Sequence, residues 1–217
     1  PGKPLQDLGG KTMIERVVEA AKLANPHAGV AVATDDVRIA EHIQSKCEVV
    51  MTSEAHPSGT DRCAEALEKL GWDCDVVVNL QGDEPFIKPE QVALLVSAFE
   101  HPKIDIATLK IAIGEAEDSQ NPNVVKVVLN RHNEAMYFSR SVIPFERDAA
   151  ITKPPYLRHL GIYAYRASFL AAYARLEVAP PEQAESLEQL RVLWHGYRIQ
   201  VHITADIPPP GVDTEAD

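Results

Sequence analysis

The sequence has few cysteines and no long apolar run. Its three cysteines, Cys47, Cys63 and Cys74, show no C-x-x-C spacing, so neither a disulfide framework nor a zinc site is supported. Unpaired thiols are typical of a reducing compartment, and we expect a cytoplasmic protein. No segment approaches the roughly 20 apolar residues that a membrane-spanning helix needs. The sequence is therefore not that of a disulfide-rich secreted scaffold, and it contains no candidate membrane span.

Positive charge is also scarce. The chain has 21 lysines and arginines against 32 aspartates and glutamates, a formal net charge of −11 at pH 7. Nucleic acids and anionic membranes are bound through clustered basic side chains, so we expect neither as a partner. An anionic substrate would have to be captured by local positive charge or by a metal ion, because the overall field repels it.

The first hundred residues alternate between apolar runs and amphipathic stretches. Predicted strands cover 29–34, 48–52 and 75–80, and predicted helices cover 12–24, 37–45, 60–70 and 89–99. The strand runs are apolar on both faces, which is typical of strands buried on both sides. The pattern predicts the α/β class, with a mostly parallel central sheet flanked by helices.

The pattern changes after residue 104. Predicted strands cover 106–113, 124–129, 135–138, 160–165 and 198–203, and predicted helices cover 167–175 and 182–196. Most of these strands follow one another without long helices between them. We therefore predict an antiparallel elaboration over 104–160 on the α/β core, and 217 residues is the length of one domain.

Two aspartates follow segments that we expect to end at one edge of the sheet. Asp83 lies in Q-G-D-E-P at 81–85, directly after a predicted strand, and Asp213 lies in G-V-D-T at 211–214. Ligands of open α/β sheets bind at the carboxyl ends of the strands, and Mg²⁺ commonly takes one or two carboxylates. Each aspartate could equally be a turn or capping residue, so the pattern leaves both roles open.

Two loops carry residues suited to phosphate binding. Lys3 stands in P-G-K-P-L at 1–5, where its ammonium could reach triphosphate oxygens. The loop 56–62 precedes a predicted helix whose first amides, with Ser58 or Thr60 as cap, could face a nucleotide. A solvated lysine and an ordinary capped loop explain the same residues, and neither segment is a Walker A loop.

Basic and polar residues in the second half admit two interpretations. Arg140 lies between apolar neighbours, where a guanidinium suits bidentate capture of a carboxylate. His159 precedes a predicted strand, and a single histidine is more often structural than catalytic. The predicted late helix carries a run of polar residues, which usually indicates an exposed polar face. The run comprises Glu185, Glu188, Gln189 and Arg191.

Taken together, these segments resemble the 3-deoxy-manno-octulosonate cytidylyltransferases, also called CMP-Kdo synthetases. The resembling segments are P-G-K-P-L at 1–5, A-T-D-D at 33–36, S-G-T-D-R at 58–62, N-L-Q-G-D-E-P at 79–85, N-P-N-V-V-K-V-V at 121–128, Y-F-S-R-S-V-I-P at 137–144, R-H-L-G-I-Y-A-Y-R at 158–166, L-E-Q-L-R-V-L-W at 187–194 and G-V-D-T at 211–214. The Q-G-D-E-P segment alone indicates only a sugar nucleotidyltransferase. Its combination with R-H-L-G-I-Y and L-E-Q-L-R is specific to the Kdo branch.

The resemblance implies a Rossmann-like nucleotidyltransferase fold and a homodimer. It implies that CTP and 3-deoxy-D-manno-octulosonate (Kdo) are converted into CMP-Kdo and pyrophosphate with Mg²⁺, for lipopolysaccharide synthesis. The single domain, 1–217, would comprise a nucleotide-binding part over 1–103, a sugar-binding and dimerisation part over 104–200, and a return to the metal site over 201–217. We also expect the family's first strand and last helix to lie outside this sequence.

The resemblance further implies a role for each matching residue. The expected catalytic residues are the metal ligands Asp83 and Asp213 and the phosphate-binding Lys3. The expected nucleotide contacts are Lys3, Ser58, Gly59, Arg62 and Asp83. The expected sugar contacts are Gln81, Arg140, His159, Tyr163, Glu188 and Gln189.

Two other functions fit parts of the sequence. One is a cytidylyltransferase for another acidic sugar, such as an acylneuraminate, against which the R-H-L-G-I-Y and L-E-Q-L-R segments count. The other is a binding module without catalysis, against which the presence of both Asp83 and Asp213 counts. For the enzyme we expect the anomeric hydroxyl of Kdo to attack the α-phosphorus of CTP in line with the leaving pyrophosphate.

Overall fold

The computed structural model describes residues 2–56, 58–82, 84–113, 119–148 and 156–204. The strands are β1 (Ala31–Thr34), β2 (Glu48–Met51), β3 (Val76–Asn79), β4 (Ile106–Ala112), β5 (Lys126–Leu129), β6 (Ala135–Ser139), β7 (Leu157–Arg166) and β8 (Gln200–Ile203). The helices are α1 (Met13–Ala24), α2 (Val37–Ile43), α3 (Gly59–Leu70), α4 (Pro89–Ser97), α5 (Ala167–Tyr173), α6 (Pro180–Glu185) and α7 (Gln189–Trp194), with 3₁₀ turns at Lys3–Leu5 and Ala98–Glu100. Over the described ranges, no helix has the length and apolar character needed to cross a membrane.

Side-chain caps fix where the early helices begin. Glu15 accepts the backbone N–H of Thr12 at 2.7 Å and closes the predicted capping box of α1. The Asp36 carboxylate accepts the N–H of Arg38 at 2.9 Å at the start of α2. These caps satisfy amides that have no partner inside the helix, and they confirm the predicted starts of α1 and α2.

The sheet is mixed. β1 and β2 form a two-stranded parallel pair, and the larger sheet has the order β6-β5-β7-β4-β8 with β3 also beside β7. Within the described ranges, β4–β8 is the one parallel pairing of the larger sheet. The predicted α/β class is confirmed, but the predicted excess of parallel pairing is not found in these ranges, because the long strand β7 runs antiparallel to β3, β4 and β5.

The larger sheet is covered on both faces. Ile162 and Ala164 of β7 pack with α1 and α4 on one face. Tyr163 and Tyr165, the alternate residues of the same strand, pack with α5 and α7 on the other. The two-residue period of a strand therefore directs the two tyrosine hydroxyls toward α3 and α7, where the candidate site lies.

The late helical segment differs from its prediction. The single helix predicted over 182–196 is wrong, because Ser186 adopts the left-handed conformation (φ 51°, ψ 49°) and separates α6 from α7. The predicted exposed polar face is also wrong for Gln189 and Arg191, which are only 6% and 3% exposed. The break changes the direction of α7, so that Gln189 and Arg191, which were predicted to face solvent, point into the protein.

Candidate active site

Arg62 ties the carboxyl ends of two strands to α3. Its guanidinium donates through Nη1 to Thr52 Oγ1 at 2.6 Å and through Nη2 to Asp35 Oδ2 at 3.1 Å. Thr52 follows β2 and Asp35 follows β1, so the strand ends and the start of α3 share one edge of the molecule. The predicted nucleotide contact of Arg62 stays a prediction, and its side chain already has this bracing role.

The start of α3 lies against the end of β3. A Cβ placed on Gly59 would stand 3.4 Å from Gln81 Nε2 and 3.5 Å from Asn79 Nδ2. The fold thus brings together two residues assigned by resemblance to different substrates, Gly59 to the nucleotide and Gln81 to the sugar. A larger residue at position 59 would push against Gln81, so it would disturb both sides of the site.

The Lys3–Leu5 turn packs at the same edge. A Cβ on Gly82 would stand 3.9 Å from Pro4 Cγ, which places the turn beside the Q-G-D-E-P segment. Asp83 and Asp213 lie outside the described residues. The predicted metal site therefore stays a prediction. Gln81 and Gly82, which precede Asp83, do follow β3 at the edge where the sequence predicts the site.

Three of the predicted sugar contacts line one small cavity. Tyr163, Glu188 and Gln189 surround a space of about 10 Å³ together with Thr60 and Tyr173. That is about the room one water molecule needs. β7 contributes Tyr163, α7 contributes Gln189, and Glu188 immediately precedes α7, so the break after α6 completes the cavity.

The cavity collects polar atoms that lack partners of normal geometry. Among the described residues, four buried polar atoms at the cavity lack a hydrogen bond of normal geometry, namely Tyr163 Oη, Tyr173 Oη, Glu188 Oε2 and Gln189 Nε2. Tyr163 and Tyr173 also interact with Thr108 and Ser58, respectively. Buried polar atoms are almost always paired, and each unpaired one costs about 1–3 kcal/mol. In a space of this size one water molecule can pair with several of them, so the cavity marks where polar groups of β7, α5 and α7 converge and is too small to hold a sugar.

Loss of solvent contact shifts the pKa of Glu188. Desolvation raises the pKa of this carboxyl, and hydrogen bonds from Ser58 and Thr60 partly oppose the shift. Ser58 itself caps α3, accepting the N–H of Asp61 at 3.2 Å. The sugar-side carboxylate and the nucleotide-side loop are therefore in contact.

His159 is buried and uncharged at neutral pH. Burial and the nearby Arg158 lower the pKa of His159 to about 3. Its Nε2 lies 3.0 Å from Thr108 Oγ1, and its ring centre is 5.3 Å from that of Tyr163. A neutral imidazole here can form hydrogen bonds, but it cannot neutralise a substrate carboxylate.

Arg140 holds the chain that leads into Glu188. Its guanidinium donates to the carbonyl oxygens of Glu185 at 2.7 Å, Pro122 at 3.1 Å and Ser186 at 3.4 Å. Three of the five N–H donors of an arginine are thus directed at backbone. The predicted capture of a sugar carboxylate stays a prediction, and the contacts observed are those of a brace on the segment between α6 and α7.

Sequence reasoning missed several residues of this site. Tyr173 and Asn79 each place a buried polar atom without a partner near the predicted contacts. Tyr173 stands in no motif, so no sequence signal marked it, whereas Asn79 opens the N-L-Q-G-D-E-P segment but was given no role. Arg191 had a signal, because it ends the L-E-Q-L-R segment, but helical periodicity predicted it to be exposed.

Comparisons with known proteins agree with this architecture. The family profile described as "Cytidylyltransferase" matches residues 1–199. The chain is 53% identical over its whole length to 87% of a 3-deoxy-manno-octulosonate cytidylyltransferase from Polynucleobacter asymbioticus, and 49% identical over its whole length to 88% of one from Xylella fastidiosa. A solved CMP:2-keto-3-deoxy-manno-octonic acid synthetase complexed with CTP matches with a TM-score of 0.92 and 46% identity, covering 100% of this chain and 88% of that one.

A more distant structure shares the fold alone. A 4-diphosphocytidyl-2C-methyl-D-erythritol synthase from Anaerococcus prevotii gives a TM-score of 0.65 at 12% identity, covering 100% of this chain and 90% of that one. The helix-flanked mixed sheet with its site at the strand ends is therefore the cytidylyltransferase fold. Within that class, the chain belongs to the 3-deoxy-manno-octulosonate cytidylyltransferase family, which confirms the family that the sequence motifs resemble.

Proposed function

We propose that this chain transfers CMP from CTP to Kdo, giving CMP-Kdo and pyrophosphate, and so activates Kdo for lipopolysaccharide synthesis. The observation that carries the proposal is full-length identity of about 50% to proteins named for this activity. A solved relative with CTP bound supports the nucleotide. Tyr163, Glu188 and Gln189, which the resemblance assigns to the sugar, lie together beside the loop assigned to the nucleotide, and this supports a sugar as the second substrate.

The reaction is an in-line displacement at phosphorus. The anomeric oxygen of Kdo forms a bond to the α-phosphorus of CTP, the bond from that phosphorus to the bridging oxygen breaks, and pyrophosphate leaves with its electron pair. The hydroxyl proton passes to solvent. Such transfers depend mainly on positioning and on stabilisation of charge, so no covalent nucleophile is required of the protein.

The two halves of the site would divide this work. Lys3 and the Ser58–Gly59 loop would hold the triphosphate and nucleotide. Gln81, Tyr163, Glu188 and Gln189 would bind the hydroxyl groups of Kdo, with His159 as a neutral hydrogen-bond partner and Arg140 as the group that meets the sugar carboxylate. Both substrates are anionic and the chain is acidic, so Lys3 and Arg140 supply the local positive charge that binding needs.

A magnesium ion is part of the proposal. Asp83 and Asp213 would be its protein ligands, because paired carboxylates at strand ends suit an ion that keeps water and phosphate oxygens in its remaining positions. When bound, the ion would neutralise charge on the α-phosphate. Removing it with a chelator should abolish turnover, and adding Mg²⁺ should restore it.

We further propose a homodimer in the cytoplasm. Met136 and Tyr137 on the edge strand β6 and Phe145 beyond it are 61%, 39% and 84% exposed, and a second copy of the chain would cover them. The three cysteines are unpaired, as in a reducing compartment. Sedimentation should give the mass of two chains, and Met136→Lys should shift it toward one; a monomeric wild type would contradict the dimer.

A pyrophosphate-release assay tests the function. The purified protein is given CTP with Kdo, and in parallel CTP with N-acetylneuraminate, and the sugar product is identified by mass spectrometry. We expect CMP-Kdo and pyrophosphate in equal amounts, and little product from N-acetylneuraminate. Faster turnover of N-acetylneuraminate would favour the other acidic sugar, and binding of CTP without turnover of either sugar would indicate a binding module.

A further inference from the structure

Arg191 is a cation buried between the two halves of the site. Its side chain is 3% exposed. It donates to both oxygens of Glu182, from Nε at 2.9 Å and from Nη2 at 2.6 Å, as a bidentate pair. Glu182 also accepts the N–H of Ala179 at 3.1 Å at the start of α6, so this fork ties α7 to α6.

The third nitrogen of Arg191 faces the nucleotide side. Its Nη1 lies 3.6 Å from Asp61 Oδ1, and the Asp61 side chain is only 11% exposed. The other oxygen of Asp61 accepts the hydroxyl of Ser58 at 2.6 Å. One guanidinium therefore connects α7, which begins at Gln189, with the loop that carries Ser58 and Gly59.

Arg191 also packs against the wall of the small cavity. Its guanidinium carbon lies 4.8 Å from the centre of the Tyr173 ring, within cation–π range. Tyr173 Oη is one of the unpaired atoms of the cavity. The same side chain thus contacts groups that lead to each predicted substrate.

We propose that Arg191 is a positioning residue, which holds the Ser58–Gly59 loop in register with Glu188 and Gln189 so that CTP and Kdo meet in line. This rests on the proposed function. Arg191 does not touch either substrate in this account; it acts through Asp61, Tyr173 and the start of α7.

Fold stability alone does not explain this arrangement. Buried ion pairs are weak sources of net stability, because desolvation offsets their attraction. Here one cation meets the carboxylates of Glu182 and Asp61, so the cluster keeps excess negative charge in a buried place. What the cluster does provide is a fixed distance between two loops, and misplacing a reactant by about 1 Å can cost roughly 100-fold in rate.

A matched pair of variants separates the two roles. Arg191→Met removes the proposed link. Arg166→Met is the control, because Arg166 also lies over an aromatic ring, Phe99 at 5.5 Å, and bonds the Ile104 carbonyl at 3.0 Å. Arg166 pairs with Val76, the first residue of β3, at the opposite end of that strand from Gln81.

We expect Arg191→Met to lower kcat roughly 30–100-fold with KM for either substrate changed less than about 5-fold. Arg166→Met should lower the melting temperature and leave kcat unchanged. Arg191→Lys keeps the charge but loses the fork, so it should recover only part of the rate. Equal kcat in wild type and Arg191→Met, each normalised to folded protein, would overturn the proposal.

A double-mutant cycle tests the path through Asp61. Asp61→Asn combined with Arg191→Met should be no slower than Arg191→Met alone, whereas independent losses that multiply would overturn the path. Amide hydrogen exchange supplies a readout that needs no turnover. The amides of residues 59–62 should exchange faster in Arg191→Met and not in Arg166→Met. Unchanged exchange in Arg191→Met would overturn the link between Arg191 and this loop. An inactive wild type that still showed the expected exchange would refute the proposed function and leave the link standing.

Discussion

The loops at the strand ends and the cavity beneath α7 satisfy their polar groups in opposite ways. Ser58 and Arg62, at the start of α3, are partly exposed and donate hydrogen bonds to Asp61, Thr52 and Asp35. Tyr163 and Gln189, in the cavity, are 4% and 6% exposed and keep polar atoms without partners among the described residues. Side-chain hydrogen bonds within the protein hold the start of α3 in place, whereas several polar atoms at the cavity lack partners of normal geometry.

Because of this difference, we expect substitutions in the two regions to affect different substrates. Changes in the residues that line the cavity should act mainly on Kdo, because the resemblance assigns Tyr163, Glu188 and Gln189 to the sugar. Changes at the strand ends should act on nucleotide binding and on the chemical step. Variants that raise KM for both substrates equally would count against this separation and would indicate a general folding defect.

The largest effect is expected from Asp83→Asn. A neutral amide is a poor ligand for Mg²⁺, and loss of several kcal/mol of charge stabilisation should reduce kcat by about 1000-fold or more. The melting temperature should change little, since the role proposed for this side chain is in catalysis. Near-normal turnover of Asp83→Asn at saturating Mg²⁺ would remove Asp83 from the metal site.

Glu188→Gln should rank next. Leaving a sugar hydroxyl without its partner in a buried place costs about 1–3 kcal/mol, which predicts a roughly 5–100-fold fall in kcat/KM for Kdo, with KM for CTP changed much less. Steady-state kinetics with each substrate varied in turn measures both values. A larger rise in KM for CTP than for Kdo would contradict the assignment of Glu188 to the sugar.

The same variant predicts a change in stability with pH. Burial raises the pKa of Glu188 above its usual value, so the fold favours the protonated carboxyl. Its contribution is greatest below the unfolded pKa and is lost as pH rises through the folded pKa. Glu188→Gln should therefore melt at a higher temperature than wild type at pH 7 and at a similar temperature near pH 4; a lower melting temperature at pH 7 would contradict the burial argument.

Arg140→Lys is expected to have two consequences of similar size. A lysine keeps the charge and one hydrogen bond but cannot reproduce the planar fork, so kcat/KM for Kdo should fall roughly 10-fold from loss of the second bond. The melting temperature should also fall, because Arg140 holds the carbonyls of Glu185 and Pro122. Loss of stability with unchanged kcat/KM for Kdo would leave Arg140 as a brace only.

The smallest effect is expected from His159→Gln. A neutral hydrogen bond is worth about 0.5–1.5 kcal/mol, which predicts a loss of about 2–10-fold in kcat/KM for Kdo. Because the pKa of His159 is about 3 in the fold, the imidazole should not titrate between pH 5 and 8. The pH profiles of wild type and His159→Gln should run parallel there, and loss of an ionisation near pH 6 in the variant would contradict a neutral His159.

The low pKa of His159 also predicts how the stability of the protein changes with pH. His159 is neutral in the fold and would bind a proton in the unfolded chain below its usual pKa of 6.5. Its contribution to stability is therefore present above pH 6.5 and is lost as the pH falls toward 3. The melting temperature of wild type should decline over this range more steeply than that of His159→Gln.

Local features of the sequence predicted the helices and strands well. Thr12 with Glu15, and Asp36, mark helix starts that the fold confirms. The break at Ser186 could not be read, because a left-handed serine has no marker that distinguishes it from an ordinary helical one. The pairing of β7 with three strands could not be read either, since strand order depends on contacts distant in sequence.

The candidate site was predictable to the extent that it follows motifs. Gln81, Tyr163, Glu188 and Gln189 came from the resemblance, and the fold groups the last three around one cavity. Tyr173 came from no motif, because its place in the site results from packing of α5 against the sheet. Burial, which shifts the pKa of Glu188 upward and that of His159 downward, depends on tertiary packing that periodicity alone did not predict.

One kinetic comparison tests the division between the two halves most directly. Lys3→Met and Glu188→Gln are assayed side by side for CMP-Kdo formation, with CTP and Kdo varied independently and with wild type as reference. We predict that Lys3→Met raises KM for CTP and leaves KM for Kdo near its wild-type value, and that Glu188→Gln does the reverse. Equal increases in both constants for both variants, or no CMP-Kdo from wild type, would contradict the account.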